Sequence, residues 1–308
     1  MAVFSCFMEF WRSWGCPNSR CAGRCVAFLF GKIYRRENNM IFIIIAIGAS
    51  LYLVLFWQWG KNTQKFYPKD RPLIFGHRGS PSYITENTIS SFEKALEQGV
   101  DGLEFDVRLT RDKKVVIFHD ENLMRLCGIN MKVKDLTYAE LQTHVLKKEK
   151  NQRQETKIPR LDDLAPLLDR MGVINIEIKS DSTFNGFAVI GPVLDFIELY
   201  NLQERCIVSC FNPFVLWRLK LKSPQTITGF LYSKKFVFHG LFNMESMLCV
   251  RPDNLHIHHD LLDSWIVKWA KYKGLRINSY TINKRDIYQK AKELKIDGAF
   301  TDNIEYIK

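Results

Sequence analysis

Short apolar runs alternate with amphipathic stretches along most of this chain. Runs rich in Val, Ile, Leu and Phe occur at Leu73–Gly76, Asp101–Leu109, Val115–Phe118, Val173–Ile178, Cys206–Ser209, Thr226–Leu231, Asn254–Ile257, Leu275–Thr281 and Gly298–Thr301, and they read as strands. Between them apolar residues recur at helical spacing, near Thr88–Gln98, Arg160–Arg170, Gly191–Tyr200, Pro213–Leu221, Leu261–Tyr272 and Lys284–Leu294. In the first of these, Ile89, Phe92, Ala95 and Leu96 share one face. One connection breaks the alternation. Thr110 to Lys114 is too short for a parallel crossover, so Val115–Phe118 is expected to turn back as a hairpin. The remaining eight strands and their helices predict an α/β fold, a TIM-type (β/α)₈ barrel with a small β-hairpin and an exposed polar insertion at Lys147–Lys157.

Upstream of Leu73 the pattern changes. Residues 40–59 are twenty in number and carry no charge. A helix of that length spans about 30 Å, the thickness of a bilayer's hydrocarbon core. Trp57 and Trp59, followed by Lys61, suit an interfacial belt. The segment is therefore expected to be a single transmembrane helix, which makes the protein membrane-bound by a single-pass N-terminal anchor. A signal peptide cleaved near Ala46–Ser50 is the rival reading, and the continuation of the apolar run to Trp57 argues against it. The chain then divides into a basic, cysteine-containing tail (1–39), the anchor (40–59), a linker (60–71) and a barrel domain (72–308). Arg20, Arg24, Lys32, Arg35 and Arg36 on one flank balance Lys61, Lys65, Lys69, Arg71 and Arg78 on the other, which leaves the orientation open. A further reading starts translation at Met40, with Arg35-Arg36 encoded by a ribosome-binding sequence; residues before Met40 in the mature N-terminus would exclude it.

Composition adds bounds. A chain of 308 residues, 46% of them hydrophobic, can bury the core of a barrel of about 250 residues with length to spare. Of the net charge of +11, the tail holds six Lys/Arg against two Glu, leaving +4 there and +7 in the remainder. That charge is dispersed and no nucleic-acid motif accompanies it, so a solvated basic surface is expected and nucleic acid is not an expected partner. Four of the eight cysteines lie in the tail, where palmitoylation or metal binding are the readings; Cys127, Cys206, Cys210 and Cys249 lack paired spacing and read as core or unpaired thiols.

Chemistry concentrates at strand ends. Glu104 and Asp106 stand two apart on one strand and so share a face, and an apolar strand with two such carboxylates needs partners or a metal. Glu177 and Lys179 repeat the spacing on the strand after the hairpin. In a barrel, Glu104, Asp106 and Glu177 converge at the carboxyl ends of strands and form a hard-oxygen set suited to one divalent metal, Mg²⁺ or Ca²⁺. His77 and His119 flank it as an acid–base pair, the returning hairpin carrying His119, while Arg78 and Lys179 supply charge for a phosphate. Together these describe phosphodiester cleavage. His256, His258 and His259 form a second cluster, but alternation places His259 opposite the other two, and a pocket-lining or structural role is favoured over metal. Trp217, Trp265 and Trp269 read as helix packing, and Phe230–Val250 as a lipid-side lip or a buried helix.

From about Pro72 to Asp302 the chain resembles the glycerophosphodiester phosphodiesterase family, among the phospholipase-C-like barrel phosphodiesterases. The resemblance is carried by Gly76-His77-Arg78-Gly79, Glu86-Asn87-Thr88, Glu104-Phe105-Asp106, His119-Asp120, Ile158-Pro159-Arg160-Leu161, Glu177-Ile178-Lys179 and Asp297-Gly298-Ala299-Phe300-Thr301-Asp302, in that order. It implies metal binding by Glu104, Asp106 and Glu177, acid–base catalysis by His77 and His119, phosphate binding by Arg78 and Lys179, and a contact of Glu86 with the metal or the glycerol hydroxyls. His119 is assigned as acid and His77 as base, with the exchanged roles as the alternative. The segment from His119 to Leu123, with Arg125 and Gly128, is similar to membrane-anchored members, some of which act on lysophospholipids. Three positions depart from the pattern: Thr85, Leu126-Cys127 and Tyr280, the last two bearing on the leaving-group pocket. The expected substrates are glycerophosphodiesters, cleaved to an alcohol and sn-glycerol 3-phosphate, or lysophospholipids, cleaved to lysophosphatidic acid. A non-enzymatic binding protein on the same barrel, and cleavage on the other side of phosphorus, stand as the alternatives. Oligomeric state is not indicated.

Overall fold

A computed structural model describes residues 44–51, 64–147, 155–233, 247 and 250–307. The chain divides into two units, Met1–Trp57 and Gln58–Lys308. In the first, residues 44–51 are helical, with Ile44, Ile45, Ile47 and Leu51 exposed. The tail 1–39 and the remainder of the expected span 40–59 lie outside the described residues, and no described helix is long and apolar enough to cross a membrane.

The second unit is the expected barrel. Strands β1 (Leu73–His77), β2 (Gly102–Leu109), β3 (Val115–Ile117), β4 (Val173–Ile178), β5 (Cys206–Cys210), β6 (Ile227–Tyr232), β7 (Asn254–His258), β8 (Arg276–Tyr280) and β9 (Gly298–Thr301) form one sheet in the order β1-β9-β8-β7-β6-β5-β4-β2-β3. Parallel pairing of β1 with both β9 and β2 closes eight strands on themselves. β3 stays outside the closed ring and runs antiparallel to β2, Val107 opposite Ile117, as the short Thr110–Lys114 connection requires.

Helices α1 (Ile89–Glu97), α2 (Met124–Cys127), α3 (Tyr138–Leu141), α4 (Thr183–Leu199), α5 (Pro213–Lys222), α6 (Trp265–Tyr272), α7 (Arg285–Glu293) and α8 (Ile304–Ile307) connect or follow the strands. The Thr88 hydroxyl accepts from Ser91 N and starts α1. Two expectations shift. The stretch expected as a helix at Arg160–Arg170 is a 3₁₀ turn, Leu161–Leu167, with Pro166 inside it, where a missing N–H disrupts α-helical pairing. The helix expected from Gly191 begins at Thr183, because Ser182 caps it by accepting from Asn185 N.

Most of the core lies between barrel and helices. A satellite cluster of Val116, Phe118, Leu123, Leu126, Val133 and Leu141 gives the segment after β3 its own interior, which fixes where the hairpin ends. Of the expected polar insertion, residues 148–154 lie outside the described residues, as do 234–246, 248 and 249 of the expected lip.

The barrel floor is closed by a residue that precedes the first strand. The Tyr67 ring is buried under Arg276, whose guanidinium lies 5.0 Å from the ring centre. Its hydroxyl donates to Asn254 Oδ1 at 2.9 Å and accepts from Asn278 Nδ2 at 2.8 Å. Tyr67→Phe removes this hydroxyl from between two buried amides and is expected to cost about 1–3 kcal/mol in urea unfolding; an unchanged midpoint would show that the floor does not depend on it.

Candidate active site

The three carboxylates come together because of strand register. Asp106 on β2 is the direct partner of Glu177 on β4, and Glu104 lies two residues back on the same face of β2. One oxygen from each of Glu104, Asp106 and Glu177 lies within 4.8 Å of the others, and all three residues are buried. Such a group is tenable only with positive charge or donors around it.

The turn after β1 supplies some of them. His77-Arg78-Gly79 reverses there with Arg78 at φ 56° and Gly79 at φ 90°; a Cβ on Gly79 would stand 2.5 Å from Ser91 Oγ. In that conformation the Arg78 N–H donates to Glu104 Oε2 at 2.9 Å, and its guanidinium lies 3.2 Å from Asp106 Oδ2 and 2.9 Å from Glu86 Oε1. Asn87, also at positive φ, donates to Asp106 Oδ2 at 2.8 Å. From the end of β4, Lys179 Nζ reaches Asp106 Oδ1 at 2.9 Å and also pairs with Glu177 Oε1.

Compensation is incomplete. Burial works to raise the Asp106 pKa, but Lys179 and then Arg78 overcome it and hold the carboxyl well below its usual range. Glu104 is pushed up to about 8, first by burial and then by Asp106, and its Oε1 is buried without a hydrogen-bond partner. An orphaned carboxylate oxygen beside two further carboxylates fits a divalent cation bound through oxygen, and the acidic triad is able to hold one.

Each histidine is oriented by a carboxylate. His77 Nδ1 lies 2.6 Å from Asp302 Oδ1, with Asn283 Nδ2 donating to the other Asp302 oxygen at 2.7 Å; His77 Nε2 is 3.9 Å from Glu104 Oε2. Burial and Arg78 push the His77 pKa down, and Glu104 and Asp302 raise it by more. His119 Nδ1 lies 2.7 Å from Asp120 Oδ1, and Arg125 Nε donates to Asp120 Oδ2 at 2.7 Å. The return strand sets the depth of His119: Phe118 N donates to Asp106 O at 2.9 Å, and Arg108 Nε to the His119 carbonyl at 2.9 Å.

A cavity of about 540 Å³ opens over this cluster, lined on its polar side by His77, Arg78, Glu104, His119, Glu177 and Lys179. Ile178, Phe211, Leu231, Tyr280 and Phe300 line it elsewhere. Asp106 lies fully buried beneath the cavity wall. Glu86, expected near the metal or the glycerol hydroxyls, joins Arg78 to Arg125, which contacts both its oxygens at 2.9 and 2.6 Å. Of the departures from the family pattern, Tyr280 lines the cavity, while Cys127 packs on the satellite core and Thr85 Oγ1 donates to Lys147 O at 2.8 Å. His256 is fully buried, its pKa pushed down to about 3 by that burial, and its ring covers Gly229, where a Cβ would come within 2.6 Å of it.

Sequence reasoning placed Asp120, Asp302, Asn87 and Arg125 inside motifs without giving them roles. For Asp120 the signal was its adjacency to His119. No spacing links His77 with Asp302, 225 residues away.

Residues 77–306 match the model of the Glycerophosphoryl diester phosphodiesterase family. The chain is 31% identical over 241 residues to a glycerophosphodiester phosphodiesterase of Caldanaerobacter subterraneus subsp. tengcongensis, covering 76% of this chain and 96% of that protein. It is 32% identical over 277 residues to lysophospholipase D GDPD1 of Homo sapiens, covering 79% of this chain and 85% of that protein. Among solved structures, an Oleispira antarctica phosphodiesterase in complex with the product sn-glycerol-3-phosphate superposes with a TM-score of 0.67 at 27% identity, covering 77% of this chain and 95% of that one. The chain thus belongs to the glycerophosphoryl diester phosphodiesterase family and is a phosphoric diester hydrolase.

Proposed function

We propose that the barrel hydrolyses glycerophosphodiesters to an alcohol and sn-glycerol 3-phosphate, with His77 and His119 as base and acid beside a divalent metal held by Glu104, Asp106 and Glu177. The observation that carries this reading is two imidazoles, each tied through Nδ1 to a carboxylate, lining one cavity with the acidic triad. The donor set is all oxygen, which favours Mg²⁺ or Ca²⁺. When bound, the cation supplies Lewis-acid stabilisation of the phosphoryl group.

The chain's own residues do the rest. Asp302 and Asp120 hold the two rings so that each Nε2 is the working nitrogen. His77 Nε2 lies on the triad side, 3.9 Å from Glu104, and takes a proton from the attacking water as its oxygen bonds to phosphorus. His119 donates a proton to the departing alkoxide as the phosphorus–oxygen bond breaks. Arg78 and Lys179 border the cavity and bind the phosphoryl oxygens once a cation shares the charge of the carboxylates. Glu86 holds Arg78 in place.

A second reading, cleavage of lysophospholipids to lysophosphatidic acid, draws support from the cavity's apolar lining and from the likeness to the human lysophospholipase D. The uncharged run 40–59 supports a membrane anchor between the tail 1–39 and a linker 60–71, with the barrel domain over 72–308. Carbonate-resistant recovery of the full chain in the membrane fraction is expected; release into the wash removes the anchor.

The protein, assayed with glycerophosphocholine and lysophosphatidylcholine, is expected to release glycerol 3-phosphate or lysophosphatidic acid in Mg²⁺ or Ca²⁺ and nothing in EDTA. The His77→Ala and His119→Ala variants should each lose on the order of 10²–10⁴-fold in kcat at unchanged circular dichroism. Turnover near wild type in either variant, or in EDTA, refutes the mechanism. Independently of activity, Lys179→Met strands Asp106 and Glu177 and should lower stability by about 3–5 kcal/mol in EDTA, with Mg²⁺ or Ca²⁺ restoring part of the loss in thermal melts. A variant as stable as wild type in EDTA contradicts the charge argument.

A further inference from the structure

Away from the triad, a second set of metal-ligating side chains meets where β7 ends. Strand alternation sends His259 to the face opposite His258. The structure overturns that expectation, because β7 stops at His258 and residues His259–Leu261 wind into a 3₁₀ turn that carries His259 and Asp260 round to the same place. His258 Nδ1 lies 3.1 Å from Asp260 Oδ2, and His259 Nε2 lies 3.4 Å from Asp260 Oδ1. One ligand atom from each of the three residues lies within 4.8 Å of the other two, and the two rings stack with centres 4.3 Å apart. His256, sealed in the barrel interior, takes no part.

We propose that His258, His259 and Asp260 form a second cation site, for a borderline divalent ion of the Zn²⁺ type, on the rim of the catalytic cavity. Two imidazole nitrogens and one carboxylate are the donors such ions prefer, whereas Mg²⁺ and Ca²⁺ favour all-oxygen sets like the triad. A carboxylate already in contact with both rings brings the three donors together before any ion arrives, which lowers the ordering cost of binding. The side chains of His258 and His259 are 35% and 28% exposed, so an ion reaches them from solvent without opening the fold. Three protein ligands leave at least one coordination position for water or another small ligand. His258 also lines the cavity and meets Tyr280 edge-on at 5.7 Å, so one ligand of this ion is shared with the wall of the substrate cavity.

The test uses the full chain in millimolar Mg²⁺, titrated with Co²⁺ and followed by visible absorption and equilibrium dialysis, with Zn²⁺ as competitor. Wild type is expected to take up a Co²⁺ that Zn²⁺ displaces. His259→Ala and Asp260→Asn should each take up one Co²⁺ per chain fewer or bind it at least tenfold more weakly, with circular dichroism unchanged. Uptake by both variants equal to wild type, as tail cysteines or the triad alone would give, overturns the site, and so does the absence of micromolar Co²⁺ binding by wild type. Because the readout is metal uptake, it stands or falls apart from the hydrolysis proposed above.

Discussion

Three carboxylates buried within 4.8 Å of one another are the constraint around which this barrel's upper face is built. Like charges at such separations repel strongly away from water, and each carries a desolvation cost as well. The response is visible in the backbone. Arg78 and Asn87 both adopt left-handed conformations unusual for residues with a Cβ, and both thereby present donors to the triad. Lys179 continues the alternation of β4 by two residues, so the same strand delivers a carboxylate and its cation.

The charge pattern extends outward as an unbroken series. From Asp106 it passes to Arg78, then Glu86, Arg125, Asp120 and finally His119, each pair in contact. His119 is thus coupled electrostatically to the triad through surface-ward residues as well as through the hairpin that carries it. His77 reaches Asp302 across the closure between β1 and β9. One imidazole therefore depends on the barrel being closed and the other on the hairpin being folded back.

What sequence reasoning could see was what neighbours along the chain determine. Period-two alternation puts Glu104 on one face with Asp106, and a five-residue gap dictates the hairpin. It missed what register across distant strands decides, the His77–Asp302 pair above all. It also missed local events at the ends of elements: Pro166 inside a turn expected as a helix, Ser182 capping α4 well before its apolar run, and the 3₁₀ turn that follows β7 directly. The last of these moved His259 from one face to the other. Glu86, which the family pattern puts near the metal or the glycerol hydroxyls, stands between two arginines in the charge series.

Tyr67 blurs the line between the expected linker and the barrel. The family match opens at His77, and the residues before Leu73 read as polar spacer, yet a side chain from that spacer is bonded to the first residue of β7 and to β8. The folded unit accordingly begins upstream of His77, where the family-model match opens. A recombinant junction placed at His77 would carry away part of the floor, whereas one upstream of Tyr67 would leave it whole.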